Sequence, residues 1–129
     1  MSYYFAKTIL ASSFDEAIAK TKEAAKLQGF GIVSELDMQN TFKEKLKKDF
    51  KRYTIIGACN PQYAYKAIGV ENNIGLFLPC NFLVEEVRVG EYTVSAIDPV
   101  EMMLAVENQD LILPAYEIRE KLQMAIESL

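Results

Sequence analysis

Leu83-Val84-Glu85-Glu86-Val87-Arg88-Val89-Gly90-Glu91-Tyr92-Thr93-Val94-Ser95-Ala96-Ile97 is the stretch that decides the fold class. Branched and aromatic residues alternate with polar ones on both sides of Gly90-Glu91, the pattern of two strands joined by a tight turn. Gly at the first place of a two-residue loop suits a type II′ turn. That register pairs Val89 with Tyr92 and Val87 with Val94 on an apolar face. It pairs Arg88 with Thr93 and Glu86 with Ser95 on a wet one. One dry face and one wet face imply an antiparallel sheet covered on a single side.

Upstream, residues 75–78 read as a compact apolar strand, broken at Pro79 because proline cannot donate to a ladder. Residues 53–59 form another strand, and Asn60-Pro61 starts a helix to about Ile68 that buries Ala64, Ala67 and Ile68. Residues 41–48 read as a short basic helix. Residues 30–37 read as a strand with Phe30, Ile32, Ser34 and Leu36 on one face, and Gly31, Val33, Glu35 and Asp37 on the other. Ser13-Phe14-Asp15-Glu16 is a capping box. The helix it opens carries Phe14, Ala17, Ile18, Thr21, Ala24 and Ala25 at helical spacing and ends at Gly29. Residues 3–10 supply the first strand.

Downstream, Asp98-Pro99 repeats the helix-start signal, and a helix through Met103 and Val106 follows. Pro114 opens the last helix, whose stripe of Ile118, Leu122, Ala125, Ile126 and Leu129 suits either a core or a partner surface. No repeat or linker interrupts residues 1–129, so one domain is expected. Its class is α+β, a mostly antiparallel sheet with helices packed on one face.

Composition narrows the functions. The 129 residues are half apolar and a quarter charged, an ordinary globular balance. There is no His, which excludes His-based triads and His-ligated metal or haem. The net charge of −4 gives no general pull toward phosphate backbones or anionic lipid. Residues 43–52 run against this trend, with six basic and two acidic side chains. A charge run of that kind is ordinarily a solvated helix face, and the alternative is a seat for a phosphate or an acidic partner. Two cysteines make no disulfide scaffold, and no leader or apolar span is evident. A cytoplasmic chain is expected, with neither membrane nor nucleic acid among its partners.

Three segments carry a family resemblance: Gly57-Ala58-Cys59-Asn60-Pro61, Ile74-Gly75-Leu76-Phe77-Leu78-Pro79-Cys80-Asn81 and Ser95-Ala96-Ile97-Asp98-Pro99. Together with Gly29-Phe30-Gly31 and Glu35-Leu36-Asp37 they resemble the family called domain of unknown function 302. The resemblance implies a single-copy TATA-binding-protein-like α+β fold, commonly a homodimer, and no established activity. Fold likeness carries no function with it.

The residues able to carry chemistry are few. Cys59 sits at a strand end before a helix start, where a thiolate is favoured by the helix dipole. Cys80 precedes a second Asn, and if the two strands are neighbours the thiols meet near one sheet end. Free cysteine also behaves as a small buried hydrophobe. The spacing of Cys59 and Cys80 matches no zinc motif, so no metal and no cofactor is expected. Asn60 and Asn81 can orient a ligand through their amides, or cap a helix and close a turn. Asp98 has the same two readings. Glu35 and Asp37, two apart on one strand, can share a proton or hold a cation, or simply face solvent. The expected function is a homodimeric module binding a small ligand or partner near Cys59, Asn60, Cys80, Asn81, Glu35, Asp37 and Asp98. The alternative is a thiol-dependent enzyme or redox sensor using Cys59 and Cys80.

Overall fold

The computed structural model describes residues 2–129. Its strands are β1 (Tyr4–Leu10), β2 (Gly31–Asp37), β3 (Tyr53–Cys59), β4 (Cys80–Arg88) and β5 (Glu91–Ile97). Its helices are α1 (Phe14–Leu27), α2 (Met38–Leu46), α3 (Pro61–Val70), α4 (Pro99–Leu104) and α5 (Ile112–Glu127). The strands form one sheet in the order β1-β5-β4-β3-β2, every neighbouring pair antiparallel. The fold is α+β, as the hairpin pattern implies.

Alternation decides which face is covered. Ile56 and Ala58 of β3, Phe82 and Val84 of β4, and Tyr92, Val94 and Ala96 of β5 all point to one side and are buried. Helices α1 and α5 pack on that side and on each other. Phe14 meets Tyr92 edge-on at 5.8 Å between ring centres, and Phe30 meets Phe82 at 6.1 Å. The stripe of α5, namely Ala115, Ile118, Leu122, Ala125 and Ile126, is wholly buried and belongs to this core rather than to a partner surface. Helix α2 buries no residue. It is tied on through Phe42, Phe50 and Tyr53: Phe42 meets Phe50 edge-on at 5.1 Å between ring centres, and Phe50 meets Tyr53 tilted at 5.8 Å.

Caps place the helix starts. Ser13 Oγ accepts from the Glu16 N–H at 3.0 Å, and the Glu16 carboxylate turns back to Ser12. Gly29, at φ +86°, closes α1 with its N–H on Lys26 O while the Phe30 N–H reaches Ala25 O, a Schellman ending. Asp37 starts α2 three residues earlier than its charge pattern suggests, because the Asp37 carboxylate caps the Asn40 N–H at 3.0 Å. Helix α3 runs on to Val70 and buries Tyr63 and Ala67, leaving Ile68 exposed. Helix α5 begins two residues before Pro114, which falls in its first turn, where no intrahelical N–H is required.

Three strand readings need correction. Residues 75–78 are not a strand: Asn72–Phe77 is a 3-10 helix anchored by buried Ile74, with Leu76 exposed. A short apolar run has no period that tells a strand from a tight helix. In β2 a bulge between Ile32 and Ser34 leaves Val33 unpaired, so Ser34 and Leu36 leave the face of Phe30 and Ile32. Glu35 and Asp37 take their place on the helix-covered side, opposite Ile56 and Thr54. In the hairpin the loop is Val89-Gly90, not Gly90-Glu91. Gly90 takes φ +92° at the second place, Arg88 pairs with Glu91, and an irregularity at Val87 brings Glu86 opposite Tyr92. The bulge keeps Val84 opposite Val94, and Val87 and Val89 are exposed.

Leu122 is fully buried, and Leu122→Ala is expected to lower the unfolding free energy by about 3 kcal/mol in urea melts. Deleting residues 114–129 is expected to abolish the cooperative transition. A truncated chain that still melts cooperatively would mean that the core stands without α5.

Candidate functional site

Strand register fixes where the Cys-Asn pairs fall. Ala58 pairs with Cys80 and Gly57 with Asn81, so Cys59 lies one step beyond Cys80 on the neighbouring strand. The two cysteines share one end of the sheet and point to opposite faces. Cys80 is buried beneath the helices, and Cys59 is half-buried on the other side. Burial pushes the Cys80 thiol up from 9.0 to about 12, with the nearby Cys59 adding to the shift. The Tyr63 hydroxyl is buried beside it with no hydrogen-bond partner among the described residues. It is likewise pushed up from 10.0 to about 12, by burial first and by Cys80 second.

The polar residues at this sheet end are largely committed to folding. Asn60 is buried and accepts from the Tyr63 N–H at 3.2 Å, the N-cap of α3. Asp98 is buried and accepts from the Val100 N–H at 3.0 Å, the N-cap of α4. Its other oxygen lies 3.1 Å from Arg119 Nε, an ion-pair contact whose angle does not make a hydrogen bond. The Arg119 guanidinium sits between the rings of Phe5 and Tyr116, at 5.6 and 5.8 Å. Glu35 and Asp37 are at the far end of the sheet. Glu35 pairs with Lys22 across to α1, and Asp37 caps α2. Of the seven expected residues only Asn81 is exposed without a capping or ion-pair role. Among the described residues no three Cys, Asp or Glu side chains come together as a metal-binding group.

The basic segment divides in two. Lys51 pairs with Glu85 at 2.7 Å, and Arg52 lies over the Phe14 ring at 4.4 Å with Asp15 3.5 Å away. Lys43, Lys45, Lys47 and Lys48 remain in solvent.

The face of the sheet turned away from the helices carries a cleft of about 400 Å³ over β1, β5 and β4. Tyr4, Ala6, Leu83 and Ile97 make it mainly apolar, and Asn81, Glu85, Thr93 and Ser95 give it polar points. Thr93 Oγ1 is held by Thr8 Oγ1 at 3.0 Å. Next to the cleft Gly57 is packed so tightly that an added Cβ would collide with Ser34 Oγ and Pro79 Cγ. The cleft residues escape a reading that looks for nucleophiles and carboxylates. Their signal is the odd positions of β4 and β5 and the even positions of β1, which keep Leu83, Ile97 and Tyr4 on the side away from the core.

Two outcomes are expected of the cysteines. A thiol reagent labels Cys59 in the native protein and reaches Cys80 only after unfolding. Between pH 9 and 12 the unfolded state has released the Cys80 proton that the native state retains, so stability is full below pH 9 and falls as pH rises. Cys80→Ala is expected to flatten that fall in alkaline urea melts. A native Cys80 that reacts as fast as Cys59 would show an accessible thiol pair.

Comparison with curated proteins returns no match. Among the described residues no helix is long and apolar enough to cross a membrane. A crystal structure of an uncharacterised conserved DUF302 protein from Bacillus stearothermophilus superposes with a TM-score of 0.89 over 98% of each chain, at 23% identity, which shows a shared fold. The family model "Domain of unknown function DUF302" matches residues 5–129. With that match running from the first strand through the last helix, the chain belongs to the DUF302 family.

Proposed function

We propose that the chain is a homodimeric binding module that holds a small, mostly apolar molecule on the bare face of its sheet. The cleft of about 400 Å³ carries this reading. Its volume lies within the range of ligand sites, roughly 300–1,000 Å³, and its lining combines apolar walls with a few polar groups that fix orientation. Leu83 and Ile97 supply the floor, and the Asn81 amide offers both a donor and an acceptor at the rim. Glu85 faces Lys51, so its charge is matched, and a neutral ligand suits the site better than an ion.

This places the groove differently from a site built on both Cys-Asn pairs. Asn81 remains in it, while Asn60, Asp98, Glu35 and Asp37 serve caps and ion pairs. A thiol enzyme or redox sensor draws no support from the geometry, since Cys80 is buried on the face opposite Cys59 with its thiol held protonated.

The neutral fluorophore N-phenyl-1-naphthylamine tests the reading. Saturable binding is expected, with Asn81→Ala weakening it severalfold at unchanged stability, since Asn81 is exposed. Leu83→Arg, which fills the cleft, is expected to abolish it. Asn60→Ala should do the reverse, costing about 1 kcal/mol of stability through the lost cap while leaving the probe bound. Equal binding by wild type, Asn81→Ala and Leu83→Arg would remove the cleft as the site.

A further inference from the structure

The buried pair of Asp98 and Arg119 belongs to a second cavity, of about 350 Å³, between α4 and α5. Val100 and Leu104 of α4 and Ile112 and Tyr116 of α5 make its walls apolar, and Asp98, Glu101 and Arg119 bring three charges to it. We propose that this cavity binds a free α-amino acid with an aliphatic side chain, the carboxylate on Arg119 and the ammonium on Glu101. It shares no lining residue with the cleft on the bare face of the sheet, and it stands whether or not that cleft is occupied.

Arg119 is fixed in place and left with donors to spare. Asp98 Oδ2 lies 3.1 Å from its Nε, and the rings of Phe5 and Tyr116 flank the guanidinium at 5.6 and 5.8 Å. The Asp98 carboxylate is 5% exposed, so the pair is anchored at its inner end, while the Arg119 side chain is 38% exposed. Arg119 makes no hydrogen bond among the described residues, and its two Nη atoms carry four N–H groups. Parallel N–H groups of a guanidinium match the two oxygens of a carboxylate. A side chain already stacked and ion-paired loses little freedom when it takes that ligand.

Glu101 is free for a reason that lies in the backbone. It stands at the third position of α4, where a carboxylate ordinarily turns back to the N–H of the capping residue. Here the Asp98 N–H is already donated to Tyr3 O at 2.7 Å. Glu101 is half-buried, and among the described residues it joins no ion pair, not even with Arg119 across the cavity.

This charge pattern selects the ligand. A simple anion would meet two carboxylates beside one guanidinium that Asp98 already answers. A simple amine would find Glu101 but leave the Arg119 donors unused. A zwitterion gives each group its opposite. The apolar walls then favour an aliphatic side chain, since a polar one would lose water without gaining a partner. The volume is at the low end of ligand sites, roughly 300–1,000 Å³, which suits a molecule of this size.

Isothermal titration calorimetry with L-leucine is the test. Wild type is expected to bind one molecule per chain. Isocaproate, which lacks the ammonium, and isoamylamine, which lacks the carboxylate, are each expected to bind about tenfold more weakly. Glu101→Gln is expected to weaken L-leucine by about the same factor, to leave isocaproate unchanged, and to melt in urea as wild type does because Glu101 caps nothing. Arg119→Lys keeps a charge for Asp98 but loses the paired donors, so it is expected to weaken L-leucine and isocaproate and to spare isoamylamine. Absence of saturable heat with L-leucine at millimolar concentration overturns the proposal. So does L-leucine affinity that Glu101→Gln leaves unchanged, or isocaproate binding as tight as that of L-leucine.

Discussion

The structure depends on burying one face of a five-stranded sheet beneath α1 and α5. Strands alternate, so burial of one face sets the phase of every strand at once. Ile56, Phe82, Val84, Tyr92, Val94 and Ala96 lie on that face, and α5 adds Leu122, Ile118 and Ala125 against them. The irregularities at Val33 and Val87 are what the phase requires. Each absorbs a residue that would otherwise turn the strand over, and each leaves a valine exposed as the cost.

The same constraint explains why conspicuous polar residues have little chemistry left in them. Strands here run directly into helices, and a helix start leaves backbone N–H groups without partners. Ser13, Asp37, Asn60 and Asp98 meet that need. Asn-Pro and Asp-Pro are therefore folding signals first. What the helical layer leaves unused is the opposite face, where Asn81, Thr93 and Ser95 stand among apolar neighbours.

Much of the fold was legible because its signals are local. The capping Ser13, the closing Gly29, the two X-Pro helix starts and the alternation of residues 53–59 each act within a few positions. Bulges are not local: whether Val33 or Val87 is skipped depends on the partner strand, and the sequence shows only one side of that pairing. Residues 75–78 failed for a related reason, since one buried residue, Ile74, anchors them rather than a pattern. Of the residues lining the proposed cleft, the reading for reactive groups singles out Asn81 alone. Reading for reactive groups led to Cys80, whose burial follows from pairing with Ala58 and was invisible until that pairing was known.

Strand order also has a temporal side. β1 is made first, yet its neighbour is β5, and the helix that seals both comes last. On a ribosome β1 must wait, unpaired, while more than eighty further residues emerge. Contacts this distant close slowly, and a waiting apolar strand is open to misassociation. Assembly of this sheet is thus a late step of biosynthesis, governed by when α5 becomes available more than by the propensity of any early segment.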